Sequence, residues 1–168
     1  DPIATIRALI CVIRSSSLRR QQFSQIVNRL LGKDLQLLRD VDTRWSSALL
    51  MIERALFLEK SINEFLDIPE FQELEKYRLD DDEWNALATA REILLVPFAF
   101  QQRLSAEKTP TLCDAIPSFE AMIRTWTDQQ QSYDGGPECE VIQKGLDKLA
   151  VYRERTELVP AYVISMGT

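Results

Sequence analysis

The stretch TRWSSALLMIERALFLEKSINEFL, Thr43 to Leu66, decides the fold class. Trp45, Leu49, Ile52, Leu56, Ile62 and Leu66 fall on one side of a helical period, while Glu53, Arg54, Glu59, Lys60 and Glu64 fall elsewhere. That spacing predicts one long amphipathic helix. Asp42 or Thr43 would cap its start, and Pro69 would end it.

The same period continues on both sides. Upstream, Ile3, Ile6, Leu9, Ile10 and Ile13 form one stripe and Phe23, Ile26, Val27, Leu30 and Leu31 a second. Ser15-Ser16-Ser17 offers a break or a new N-cap between them, and Gly32 a C-terminal stop. Asp34 to Asp42 reads as a connector of open form. Downstream, Pro69 to Lys76 suggests a short helical turn. Trp84, Leu87, Ile93, Leu94, Phe98, Phe100 and Leu104 give another long helix, which Pro97 should kink or end. Leu112, Ile116, Phe119, Met122, Ile123 and Trp126 give the next, with Pro117 expected in or near its first turn. Asp134-Gly135-Gly136-Pro137 is a loop. Val141, Ile142, Leu146, Leu149 and Tyr152 suggest a last helix, and Val159 to Met166 is ambiguous between helix and strand. No run alternates with period two. The expected fold class is therefore all-α, a multi-helix bundle, taken as a single helical domain over 1–168.

Composition removes several chemistries. The chain of 168 residues has no histidine, so neither an imidazole base nor a His-ligated zinc can be built. Cys11, Cys113 and Cys139 show no CxxC spacing, and so sparse a set fits a reducing intracellular setting. No GxGxxG or GxxxxGK[ST] cradle occurs among the five glycines. No apolar run approaches a membrane span, and the apolar N-terminal stretch is not read as a signal peptide, since no basic segment precedes it. Net charge is −6, unevenly spread. Residues 1–45 carry eight basic against four acidic side chains, +4, and 46–168 carry twelve against twenty-two, −10. A basic end on an acidic body restricts any nucleic-acid contact to one place, although such charges are also what solvated helix faces carry.

The words of the sequence go further. Leu38-Arg39-Asp40-Val41-Asp42-Thr43-Arg44-Trp45-Ser46-Ser47, followed by Met51-Ile52-Glu53-Arg54, resembles the hAT transposases, whose pattern is close to DV-x-TRW-N-S-T and then ML-x-R. Ser46-Ser47-Ala48 departs mildly from Asn-Ser-Thr. Ile13-Arg14-Ser15-Ser16 through Arg19 to Phe23 is similar to the family's upstream stretch. Glu83-Trp84, Leu94 to Phe98, Leu104-Ser105, Thr109-Pro110-Thr111-Leu112, Tyr152 and Pro160-Ala161-Tyr162 follow its downstream order. The resemblance implies a helical insertion within an RNase H-like catalytic domain. It places the catalytic Asp/Asp/Glu set, and the Mg2+ expected for the full-length family, outside this chain. It implies a nuclear location. The partners would be transposon-end DNA and the rest of the catalytic domain, with a homo-oligomer left open. Asp40 and Asp42 then belong to the Thr-Arg-Trp lead-in and are not catalytic acids.

No catalytic residue, metal ligand or cofactor site is expected in this chain. Arg44 and Trp45 are the leading candidates for DNA contact, an association that comes from the resemblance. An exposed indole can stack on a displaced base and a guanidinium can hold a phosphate. Arg14, Arg19 and Arg20 are secondary candidates for phosphate contacts. The bland alternative makes Trp45 the start of the core stripe, with Arg44 paired to Asp40 or Asp42. Trp84 and Trp126 read as core and Cys11 as a small buried hydrophobe. Asp80-Asp81-Asp82-Glu83 reads as a charged helix start in preference to a metal site. Two functions follow. One is a transposase fragment whose insertion region supports the catalytic core and contacts end DNA, without activity of its own. The alternative is a domesticated helical interaction or scaffold module with no DNA role.

Overall fold

A computed structural model describes residues 1–41, 45–105 and 112–157, all of them helical or irregular. Among the described residues seven α-helices and one 3-10 helix follow in order: α1 Pro2–Ser15, α2 Ser17–Leu31, α3 Trp45–Phe57, α4 Glu59–Leu66, the 3-10 helix Pro69–Tyr77, α5 Asp81–Leu104, α6 Leu112–Gln131 and α7 Pro137–Glu157. They form two compact units, Asp1–Arg91 and Glu92–Thr168.

In the first unit, helix ends follow capping chemistry. The Asp1 carboxylate accepts from the N–H groups of Ile3 and Ala4, at 3.0 and 3.3 Å, and Pro2 opens α1. Ser16 is extended and caps α2. Gly32 ends α2 with φ 63° and its N–H on the Asn28 carbonyl, 2.8 Å away, a left-handed cap that glycine adopts without strain. The Asp80 carboxylate accepts from the Glu83 N–H at 2.8 Å while Glu83 accepts from the Asp80 N–H at 3.2 Å. This reciprocal capping box makes the acidic run a helix start.

The stripe residues Ile6, Leu9, Ile10 and Ile13 of α1, Phe23, Ile26 and Val27 of α2, and Ile62, Phe65 and Leu66 of α4 are buried. α1 packs on α2, α3 and the 3-10 helix, and α2 on α4. Phe65 meets Phe23 edge-on at 5.7 Å and stacks on Phe71 at 5.0 Å. Trp84 and Leu87 are buried, as their stripe positions require.

The expected single helix from Thr43 to Leu66 is two helices. Leu49, Ile52, Ala55 and Leu58 are all fully buried at three-residue steps. Each such step falls back about 60° around a helix of 3.6 residues per turn, so the buried line walks off the core-facing side. Leu58 resets it. Its φ and ψ are −102° and 14°, and its N–H is shared between the Arg54 and Ala55 carbonyls at 3.1 Å each. α4 then restarts with Ile62, Phe65 and Leu66 inward, without any proline or glycine at the break.

The second unit has its own core of Ile93, Met122, Trp126, Ile142 and Leu149, with Phe100, Phe119 and Leu146 packed against it. Pro97 does not end α5, which runs on to Leu104. A proline at 97 has no N–H for the Ile93 carbonyl. The buried Trp126 indole N–H donates to that carbonyl instead, at 3.1 Å. Pro117 lies in the second turn of α6, next to the first turn. The expected loop is present, with Asp134 and Gly135 at φ 46° and 81°, and Pro137 opens α7. Gly145 of α7 lies against Trp126, so close that a Cβ there would come within 2.6 Å of the indole. The tail from Val159 to Met166 lies outside the described residues.

Candidate functional site

Residues 34–41 of the connector have no regular secondary structure among the described residues, and the helices on either side hold them by arginine. Arg14 of α1 donates from Nη1 to the Leu37 carbonyl at 2.6 Å, and Arg54 of α3 donates from Nη1 to the Gln36 carbonyl at 2.7 Å. Two carbonyls that a helix or sheet would otherwise satisfy are thereby bonded to cations, which strengthens each bond. Leu37, between them, is buried.

The strap ends in an ion pair. Arg7 of α1 meets one oxygen of Asp40 with both Nε and Nη2, at 2.9 and 2.6 Å. The Asp40 side chain is only 5% exposed and that of Arg7 40%. The Ser47 hydroxyl, in the first turn of α3, donates to the other Asp40 oxygen at 2.5 Å and accepts from the Val41 N–H at 2.8 Å. Burial pushes the Asp40 carboxyl up, but the Ser47 hydroxyl and the Arg7 guanidinium outweigh it and hold the group below its ordinary value. Asp40 is thus a latch residue held by Arg7 and Ser47, and the expected pairing of Arg44 with Asp40 or Asp42 lies outside the described residues. The Asp and the Ser of the Asp-Val-x-Thr-Arg-Trp-x-Ser pattern, Asp40 and Ser47, bond to each other, which gives their spacing a structural cause.

The expected phosphate contacts separate. Arg19 turns to the 3-10 helix: its Nη2 donates to Glu73 at 3.0 Å, its Nη1 to the Val12 carbonyl at 3.3 Å, and its guanidinium carbon lies 6.0 Å from the Phe71 ring centre. Arg14 and Arg20 instead line one groove of about 320 Å³ with Ser17, Gln21, Ser24 and Gln36. Arg20 is exposed. Arg44 and the side chain of Trp45 lie outside the described residues; the backbone of Trp45 begins α3.

Other expectations are corrected or filled in. Cys11, expected as a small buried hydrophobe, is half-buried, with the Arg39 Nη2 3.8 Å from its sulfur. Trp126 is core as expected. Arg7, Arg54 and Ser47 carry the strap, and sequence reasoning singled out none of them as doing so. Ser47 alone left a signal, a hydroxyl in the first turn of the helix behind the Asp-Val pair. Among the described residues no three of Asp, Glu and Cys converge where a metal ion could be held, and Asp40, Asp80 and Glu83 are engaged as described above.

The family model of the ZBED1 RNase-like helical domain matches residues 1–93. The chain belongs to that family. The matched span ends two residues beyond the first compact unit, so the latch, the strap and the groove all lie within it. This chain is accordingly a transposase-derived helical region, in accord at that level with the resemblance carried by Asp40 to Ser47. The match ends before Leu104-Ser105 and Thr109 to Leu112. No curated protein and no solved structure matches the chain.

Proposed function

We propose that this chain is the non-catalytic helical part of an hAT-type transposase, which supports the catalytic core and contacts transposon-end DNA at Arg44 and Trp45. The observation that carries the reading is the strap. Arg7, Arg14 and Arg54 are spent on fixing 34–41, and Asp40 and Ser47 join the end of the strap to the first turn of α3. So much bonding on an irregular segment directly ahead of Asp42-Thr43-Arg44 suits a segment whose position matters. The parent protein supplies the catalytic carboxylates and Mg2+, and acts in the nucleus. A fluorescence-anisotropy titration with hairpin-ended and blunt duplexes tests the contact. Binding that prefers the hairpin end and loses that preference in Trp45→Ala supports it, and equal binding of both ends by a folded sample refutes it.

A second reading, an interaction module of a domesticated protein, draws on a different observation. Leu50 and Phe57 are 42% and 58% exposed and seven residues apart on α3, hence on one face. Arg19, Arg29 and Arg78 are paired to Glu73, Glu64 and both Glu75 and Asp67, and paired arginines offer less to a phosphate backbone.

A further inference from the structure

We infer that the groove between α1, α2 and the strap seats one backbone phosphodiester of a nucleic-acid strand; this rests on the DNA-contact reading and assigns to it a site that the Arg-Trp pair does not include. Arg14, Ser17, Arg20, Gln21, Ser24 and Gln36 line the groove, two cations and four neutral polar side chains with no carboxylate among them. The Leu37 carbonyl takes one of the five N–H donors of Arg14 and holds the guanidinium in place at the groove wall. Arg20 stands in the first turn of α2, beside Ser17 at the helix start, where backbone dipoles also favour an anion. The four lining residues of α2, at 17, 20, 21 and 24, share one helical face.

The charge balance selects the ligand. Asp34 lies at the edge, where it accepts the Ser24 hydroxyl at 2.7 Å and sits 3.5 Å from the Gln36 amide nitrogen. Ser24 therefore offers the groove no proton, and Asp34 offsets one of the two arginines. Arg14 and Arg20 in the lining, with Arg54 on the Gln36 carbonyl, outnumber that one carboxylate, and the net positive wall suits the single negative charge of a backbone phosphodiester. Such a contact positions a strand without reading its sequence.

The test is a salt series of DNA anisotropy titrations on the full chain, comparing wild type with Arg20→Ala, Arg20→Lys and, as a control in the second unit, Lys144→Ala. Arg20→Ala should weaken binding several-fold for every duplex and lower the steepness of log K against log salt by about 1. Arg20→Lys should keep the slope, and Lys144→Ala should match wild type. Inorganic phosphate at matched ionic strength should not displace the DNA; displacement would make the site one for free phosphate and overturn the assignment. An unchanged slope in Arg20→Ala, from protein with the wild-type helical signal, also overturns it. If Trp45→Ala loses hairpin preference while Arg20→Ala is silent, the groove falls and end contact stands. If Arg20→Ala lowers the slope but no hairpin preference exists, the groove stands and end contact falls. Wild type that binds no DNA at low salt removes both.

Discussion

Trp126 and Pro97 should behave as one unit in a mutant cycle. The Ile93 carbonyl is deprived of its helical partner by Pro97 and receives the buried Trp126 indole N–H at 3.1 Å. Trp126→Phe leaves that carbonyl without a donor, at about 1–3 kcal/mol, and sheds ring area worth about 1 kcal/mol more. The expected loss in the wild-type background is thus about 2–4 kcal/mol. Pro97→Ala supplies a backbone N–H to the same carbonyl, which has two lone pairs and can accept both donors. Pro97→Ala alone should be at or above wild-type stability, because proline inside a helix costs about 3 kcal/mol relative to alanine. In the Pro97→Ala background, Trp126→Phe should cost only the ring area, about 1 kcal/mol. Urea unfolding followed by circular dichroism at the helical band gives all four stabilities without relying on indole fluorescence. The coupling expected is about 1–3 kcal/mol. Equal costs of Trp126→Phe in both backgrounds would refute the assignment of the indole to the orphaned carbonyl.

Further expectations follow from single sites. Trp84→Phe should be milder than Trp126→Phe, because the buried Trp84 indole N–H has no hydrogen-bond partner among the described residues and its removal orphans no acceptor; the same urea series compares the two. Gly145→Ala should destabilise by up to about 2 kcal/mol in thermal melts, since pressing a methyl on the Trp126 ring costs about 1–3 kcal/mol and the gain in helix propensity offsets about 1 kcal/mol of it. The lowered carboxyl of Asp40 sets a pH dependence. Its contribution is fully present above the unfolded value of about 3.9 and is lost as pH falls through the lower folded value. The advantage of wild type over Asp40→Asn should therefore be constant near neutral pH and shrink below about pH 4, as read from melts across that range. A constant difference down through that range would contradict the latch.

Much of the fold was legible in the sequence because the forces that set it are local. The stripes of α1, of α6 and of α2 as far as Val27 announce their buried faces, although Leu30 and Leu31 at the end of α2 are exposed, and Gly32, Ser16 and Asp80 mark ends through capping that depends on neighbours three or four residues away. The break at Leu58 was hidden because no breaker residue marks it; only the core decides which side a drifting line of Leu49, Ile52 and Ala55 must abandon. The effect of Pro97 was legible only in part, since its rescuer lies twenty-nine positions away at Trp126. The candidate site was the least legible. Eight basic residues in 1–45 look alike on paper, yet tertiary structure sends Arg7 to Asp40, Arg14 to a carbonyl and Arg19 to Glu73, and leaves Arg20 exposed in a groove. A pairing between residues 7 and 40 leaves no mark in either segment alone. The connector has no periodicity of its own, and its order comes from side chains that reach it from α1 and α3.

Photo-crosslinking tests the DNA contact most directly. A hairpin-ended duplex carrying iodouracil near its end is bound to the full chain and irradiated, and the modified peptides are mapped by mass spectrometry. Adducts are expected on the peptide containing Trp45 and within residues 14–24. Adducts confined to the second unit, from Glu92 onward, or none at all under conditions where the protein is folded, would contradict the contact.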